Sequence, residues 1–317
     1  MTVPPAAGVD CRSNHGDDDM KRRYVTLDVF TDRRFAGNPL AVVLESDGLA
    51  TEAMQALANE FNLPETVFVM PPEDRKHRAR CRIFTPKREL PFAGHPTVGT
   101  AVLLASIDAA KGEKTGEFVL EEKIGLIRCR VTPRDGGGDA SFVLPTAPSA
   151  VTAPPPNETI AQALGLDAAD IGAGDLAPSC WSAGNPFLFV PLASIDAVRR
   201  ATPDLAAFRA LAPTFPGLFV FSRETAEKGN DFHARMFAPA MGIIEDPATG
   251  SAVAAFAGLL GRFGGYKDGD HSVSIEQGYE MGRPSLIRLG MTIVAGQFTA
   301  VTVGGSAVLV AEGTIEA

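Results

Sequence analysis

Arg82-Ile-Phe-Thr-Pro86, followed by Phe92-Ala-Gly-His-Pro-Thr-Val-Gly-Thr-Ala101, is written twice in this chain. The second copy is Arg235-Met-Phe-Ala-Pro239, followed by Glu245-Asp-Pro-Ala-Thr-Gly-Ser-Ala252. From Arg82 to Arg235 the offset is 153 residues, and from His95 to Asp246 it is 151. Each copy reads as a strand, a loop, an acid–base residue and a proline opening a helix. One copy offers an imidazole, the other a carboxylate. If the copies face each other, His95 and Asp246 meet across one cleft, each at a helix N-terminus.

Two further matches occur in the same order. Ala36-Gly-Asn-Pro39 returns as Ala183-Gly-Asn-Pro186, and the apolar strand Thr66-Val-Phe-Val69 aligns with Gly217-Leu-Phe-Val220. The expected fold is therefore α+β, with two pseudo-symmetric domains, each mixing a curved sheet with a buried helix. The helices are expected at 97–106 and 247–260, the latter rich in Ala and Gly and small enough to pack centrally. Residues 1–22, rich in Pro, Gly and Asp, are expected to be a disordered tail. The halves are expected at 23–147 and 148–317, joined through the Pro/Ala/Thr-rich stretch 145–156, with terminal strands free to cross between them. Met20 is a second candidate start.

One position breaks the symmetry. The strand alignment sets Glu65 opposite Pro216, so this carboxylate exists in one half only. A duplicated scaffold with an unduplicated carboxylate at the edge of an apolar strand has the form of an acid–base catalyst. Partial burial would raise its pKa toward the range useful for proton transfer. The bland alternative is an exposed strand-start glutamate.

The helix starts are the other candidates. Thr97-Val-Gly-Thr100 and Ala248-Thr-Gly-Ser251 leave first-turn N–H groups free, and two such positive ends make a cradle for a carboxylate or phosphate. Gly99 and Gly250 would let a ligand or the opposing helix come close. A positive helix end favours neutral His95 and ionised Asp246. Ordinary capping by Asp246 and His95 is the competing reading. Glu276-Gln-Gly-Tyr-Glu-Met-Gly-Arg-Pro284 is a polar loop, open to reading as a substrate edge or as turn chemistry.

Composition narrows the classes. The 317 residues are 45% hydrophobic and 21% charged, enough to bury a large core, and 32 Gly with 24 Pro point to many turns and short elements. A net charge of −9 with no basic stripe argues against a nucleic-acid partner. Lys21-Arg-Arg23 reads as part of a solvated tail. No apolar run reaches membrane-spanning length, and no secretory h-region follows the first residues. Cys11, Cys81, Cys129 and Cys180 are scattered and read as free thiols of a cytoplasmic protein. The histidines form no cluster of metal-ligand spacing, and no dinucleotide, phosphate-loop or nucleophile-elbow motif appears.

Taken together, Asp28-Val-Phe-Thr-Asp32 with Phe35-Ala-Gly-Asn-Pro39, Glu65-Thr-Val-Phe68, Arg82-x-Phe-x-Pro86 with Leu90-Pro-Phe-Ala-Gly-His-Pro96, Arg235-x-Phe-x-Pro239, Glu245-Asp-Pro-Ala-Thr-Gly-Ser-Ala252 and Glu276-Gln-Gly-x-Glu-Met-Gly-Arg-Pro284 resemble the phenazine-biosynthesis isomerase (PhzF) family across 24–317. The resemblance implies the diaminopimelate-epimerase fold, two similar domains each wrapped around a central helix with the active site between. It implies a cofactor-independent enzyme, commonly a homodimer, acting on a small carboxylated molecule. In the phenazine enzyme a glutamate moves a proton within a dihydro-hydroxyanthranilate, and by motif that residue is Glu65. The family's substrate-contacting histidine and aspartate fall on His95 and Asp246, and its helix-start contacts on Gly94, Gly250 and Ser251, with Thr97 beside them. Epimerases of this fold use a cysteine from each half, whereas the matching positions here carry His95 and Asp246. Arg34, where the family often has Pro, is a departure away from the chemistry.

Three functions follow as expectations. The first is an isomerase with Glu65 as proton carrier. The second is an amino-acid epimerase or racemase with His95 and Asp246 as opposed bases. The third is an interaction protein that keeps the scaffold without the chemistry.

Overall fold

The computed structural model describes residues 21–239 and 242–317. The first part of the chain forms β1 (Lys21–Val29), β2 (Asn38–Val43), α1 (Thr51–Phe61), β3 (Glu65–Met70), β4 (Ala79–Phe84), β5 (Glu89–Leu90), α2 (Gly94–Ala110), β6 (Glu117–Glu122), β7 (Gly125–Arg134) and β8 (Gly137–Val143). The second forms β9 (Ser149–Ala150), α3 (Asn157–Leu164), β10 (Ser179–Ser182), β11 (Pro186–Pro191), α4 (Ile195–Arg200), α5 (Leu205–Leu211), β12 (Leu218–Ser222), β13 (Phe232–Ala238) and β14 (Ile243–Asp246). It ends with α6 (Gly250–Phe263), β15 (Gly269–Gln277), β16 (Ser285–Val294) and β17 (Gln297–Glu316).

Pairing closes a barrel in the first half. β17 runs antiparallel to β1, β1 to β2, and β2 lies parallel to β3. β3 then pairs with β4, β4 lies parallel to β6, β6 pairs with β7, β7 with β8, and β8 returns to β17. The second half repeats the sequence of pairings. β10 pairs with β11, β11 lies parallel to β12, β12 pairs with β13, β13 lies parallel to β15, and β15, β16 and β17 follow antiparallel. The last strand thus finishes the second sheet and closes the first barrel.

Each sheet wraps a helix. Every residue of α2 from Gly94 to Ala105 is buried, as is α6 from Ala252 to Leu260. A helix that is small and apolar all round has no face to offer water, and the inside of a curved sheet is where it fits. Phe256 of α6 packs among the rings of Phe189, Phe219, Phe221 and Phe232, with centroids 4.7–5.7 Å away. The expected architecture, two domains of curved sheet around a central helix, is the one observed. α1 buries Met54 and Ala58, which lie at helical spacing, and packs outside the barrel over Phe68 and Phe84.

Several local expectations need correction. The disordered tail expected through residue 22 lies outside the described residues up to 20, but Lys21 and Arg22 are already in β1, opposite Glu316 and Ile315. Their neighbour Arg23 pairs with Glu312 of β17 at 2.6 Å, and Arg22 is buried, so the basic run belongs to the sheet and not to a solvated tail. β17 runs unbroken from Gln297 to Glu316. Gly304 and Gly305 look like a break, yet they continue the pairing with β8, where an added Cβ at Gly304 would meet Ala140 O at 2.5 Å. β10 and α4 carried no signal that separated them from loop. Cys81, Cys129 and Cys180 are free and buried, and Cys11 lies outside the described residues.

Candidate active site between the repeats

The repeated arginine shapes both approaches to the cleft. Arg82 on β4 grips Glu89 of β5 through two nitrogens at 2.9 and 3.1 Å. Arg235 on β13 grips Glu245 of β14 at 2.8 and 2.8 Å. Planar two-point contacts of this kind fix orientation as well as distance. They hold the segments that lead into α2 and α6.

The two helix starts then meet. A Cβ built on Gly94 would lie 2.9 Å from Gly250 Cα, and one built on Gly250 would lie 3.2 Å from Gly94 Cα. Only a residue without a side chain allows this approach of two backbones. Gly99 has a different task. Its missing Cβ makes room for Leu40 and Val29 of the barrel wall, not for a ligand or for α6.

Both helices begin elsewhere than the prolines suggested. α2 starts at Gly94 after Ala93, so His95 lies within the first turn and not at its cap. α6 starts at Gly250 after Thr249, so Asp246 sits at the end of β14, three residues before the cap. Asp246 still serves the helix start, because its Oδ2 accepts the Thr249 hydroxyl at 2.6 Å.

A cleft of about 320 Å³ opens above the junction. Glu65, Gly94, His95, Asp246, Gly250 and Ser251 all line it, as does Pro216, the counterpart of Glu65 in the other half. Thr97 does not. Its hydroxyl points the other way, 2.8 Å from Ala93 O and 2.7 Å from Glu122 Oε1, because the residue two places beyond His95 on a helix faces the barrel wall.

Glu65 opens β3, and its Oε2 stands 3.3 Å from His95 Nε2. Neither atom has an aligned hydrogen-bond partner among the described residues. Burial pushes the Glu65 carboxyl up to about 8, and the Asp246 carboxylate adds to the shift. Burial pushes His95 down to about 3, partly opposed by a hydrogen bond to the Pro39 carbonyl. The pair is thus a protonated carboxyl facing a neutral imidazole, not an ion pair. Asp246 is raised to about 6 by burial, while hydrogen bonds from Thr249 and Asn38 favour its anion.

Three contributors were not singled out from sequence. Asn38, buried in the first Ala-Gly-Asn-Pro motif, donates to Asp246 Oδ1 at 2.9 Å and to Ala248 O at 2.8 Å. Its repeat partner Asn185 lines the cleft. Arg88, exposed at the rim, is the one arginine or lysine among the lining residues. The recurrence of Asn-Pro was a usable signal for the asparagines, although each motif reads locally as a turn. The stretch expected as a loop from Glu276 to Pro284 begins on a strand, since Glu276 and Gln277 end β15, and the loop that follows is a clamp. Arg283 donates to Asp28 Oδ1 at 2.5 Å and to the carbonyls of Ala36 and Gly37, both at 2.7 Å, fixing the loop that presents Asn38.

Comparison with known proteins places this arrangement. The sequence profile of the phenazine biosynthesis-like proteins, PhzC-PhzF, matches residues 27–313. An uncharacterized isomerase of Mesorhizobium japonicum is 48% identical over 299 residues, covering 93% of this chain and 98% of the relative. The trans-2,3-dihydro-3-hydroxyanthranilate isomerase of Pseudomonas aeruginosa is 38% identical over 292 residues, covering 92% and 98%. Among solved structures, a PhzF-family phenazine biosynthesis protein of Bacillus anthracis superposes with a TM-score of 0.83 at 26% identity, covering 93% of this chain and 99% of that one. The chain therefore belongs to the phenazine biosynthesis-like PhzC-PhzF family and is an isomerase.

Proposed function

We propose that Glu65 moves a proton between two carbon atoms of a small carboxylated substrate in the cleft between residues 23–147 and 148–317, with no cofactor taking part. The observation that carries this reading is the placement of Glu65. It is a buried carboxyl with a raised pKa, present in one repeat only, beside the meeting point of two helix starts.

In this reading the Glu65 carboxylate takes a proton from an sp3 carbon. The electron pair left behind spreads through the substrate's conjugated system toward its carboxylate. First-turn N–H groups of α2 and α6, which have no intrahelical acceptor, stabilise that charge. The Glu65 carboxyl exchanges its hydrogen with solvent and then delivers a proton to a second carbon of the same system. Proton and electrons balance, and the product is an isomer. His95 Nε2 faces the Glu65 oxygen and orients it, and Asp246 is oriented in turn by Asn38 and Thr249.

The fit to opposed bases is poorer. Both Asp246 oxygens accept hydrogen bonds from the protein, and the free nitrogen of His95 faces Glu65. A pure interaction surface gives no account of a buried acid–base pair in a cleft. The substrate named for the Pseudomonas relatives, trans-2,3-dihydro-3-hydroxyanthranilate, is the first to test. Its conversion to an isomer, followed by NMR, is the expected result. Binding without conversion would shift the assignment to another carboxylated substrate, and neither binding nor conversion would count against the cleft as its site.

A further inference from the structure

The two helix starts are held from behind by residues at equivalent places in the repeat. Glu121 on β6 accepts the backbone N–H groups of Glu73 and Asp74. Glu276 on β15 accepts those of Ala226 and Glu227. The next residues are therefore counterparts: Glu122 in the first half and Gln277 in the second. Gln277 is fully employed at α6. Its oxygen accepts Thr249 N–H at 3.0 Å, and its nitrogen donates to Asp246 O at 2.7 Å and to the Thr249 hydroxyl at 3.0 Å. The Thr249 hydroxyl in turn donates to Asp246 Oδ2 at 2.6 Å.

At α2 the same pattern has a carboxyl where the amide stands. The Thr97 hydroxyl lies 2.8 Å from Ala93 O and 2.7 Å from Glu122 Oε1. A hydroxyl has one proton to donate. If Glu122 were ionised, both neighbours would be acceptors and one contact would be unmade. If Glu122 carries a proton, its O–H donates to Thr97 and Thr97 donates to Ala93 O, and both are satisfied. The second arrangement reproduces the Gln277–Thr249 chain. Burial works in the same direction: Oε2 of Glu122 has no partner among the described residues, and the carboxyl is pushed up to about 8.

We infer that Glu122 is a neutral carboxylic acid acting as a positioning residue. Through Thr97 it fixes the first turn of α2, which presents Gly94 and His95 to the cleft, as Gln277 does for α6. Its link to turnover rests on the isomerase reading of the cleft; its protonation and its hold on the helix do not.

The tests separate these parts. The infrared spectrum of Glu65→Gln protein at pH 7 should keep a carboxylic-acid C=O band that Glu65→Gln/Glu122→Gln lacks. Absence of that band in the single variant overturns the neutral assignment. In Glu122→Met, exchange of the Thr97 and Val98 amides should speed by about tenfold while the amides of α6 are unchanged. Glu122→Gln should restore slow exchange, and turnover should follow the same order. Parental exchange in Glu122→Met, or exchange in Glu122→Gln as fast as in Glu122→Met, overturns the positioning role. If Glu122→Met fails to fold, the infrared pair and Glu122→Gln still decide.

Discussion

Glu65 Oε2 and His95 Nε2 stand 3.3 Å apart, and burial pushes the carboxyl up to about 8 and the imidazole down to about 3. Water exclusion inverts the usual order of the two groups. The imidazole, stripped of solvent and turned toward Pro39 O by its other nitrogen, is the weaker base toward solvent protons. A carboxyl near 8 is a competent acid when protonated and a stronger base than an ordinary carboxylate when not. That combination is what carrying a proton from one atom to another requires.

The pH dependence follows from this. In the proposed reaction proton removal needs the Glu65 anion, whose fraction grows as pH rises through about 8. kcat/KM, which reports groups of the free enzyme, should therefore climb across pH 6–8 and level off above. A profile that falls over that range would mean that Glu65 acts first as an acid.

Stability should run the opposite way. A carboxyl raised in the folded state keeps its proton where the unfolded chain has lost it, between 4.5 and about 8 for Glu65. The native state then binds more protons, so stability falls as pH rises through that window. Glu65→Gln should be more stable than the parent by about 1–3 kcal/mol at pH 8, with the gain vanishing near pH 4. Thermal unfolding at the two pH values checks this.

The backbone contact between Gly94 and Gly250 leaves no room for a methyl group, at 2.9 Å on one side and 3.2 Å on the other. Gly94→Ala must push the helices apart. A loss of about 1–3 kcal/mol is expected, with turnover falling more steeply than stability because the N–H groups of both starts shift together. Calorimetry alongside kinetics separates the two losses.

Asn38 joins the first half to the acid of the second across 208 positions of sequence. Asn38→Leu removes a buried donor from Asp246 Oδ1 and from Ala248 O, at an expected cost of about 1–3 kcal/mol for each group left unpaired. It should also raise the pH at which Asp246 ionises, observable by NMR titration of its carboxyl carbon.

How much of this the sequence carried depends on the kind of signal. The twice-written stretch gave the two wrapped helices, because a repeat of strand, loop and small-residue helix describes a whole structural unit. Glu65 stood out because the repeat does not copy it. The true helix starts did not, since proline marks only a preference for the first turn, and here His95 enters the turn while Asp246 stays on a strand. Thr97 was misplaced for a related reason: spacing puts it at the helix start, but the barrel decides which way it points. Asn38 and Glu122 act through partners distant in sequence, Asp246 and Thr97, and no local pattern announces such pairings.

The most direct test is solvent hydrogen transfer by Glu65. With a turned-over substrate in deuterated water, the parent enzyme should place solvent deuterium on the carbon that receives the proton. Glu65→Gln should bind the same substrate, by calorimetry, yet neither convert it nor label it. A Glu65→Gln enzyme that isomerises and labels at the parental rate would contradict the account.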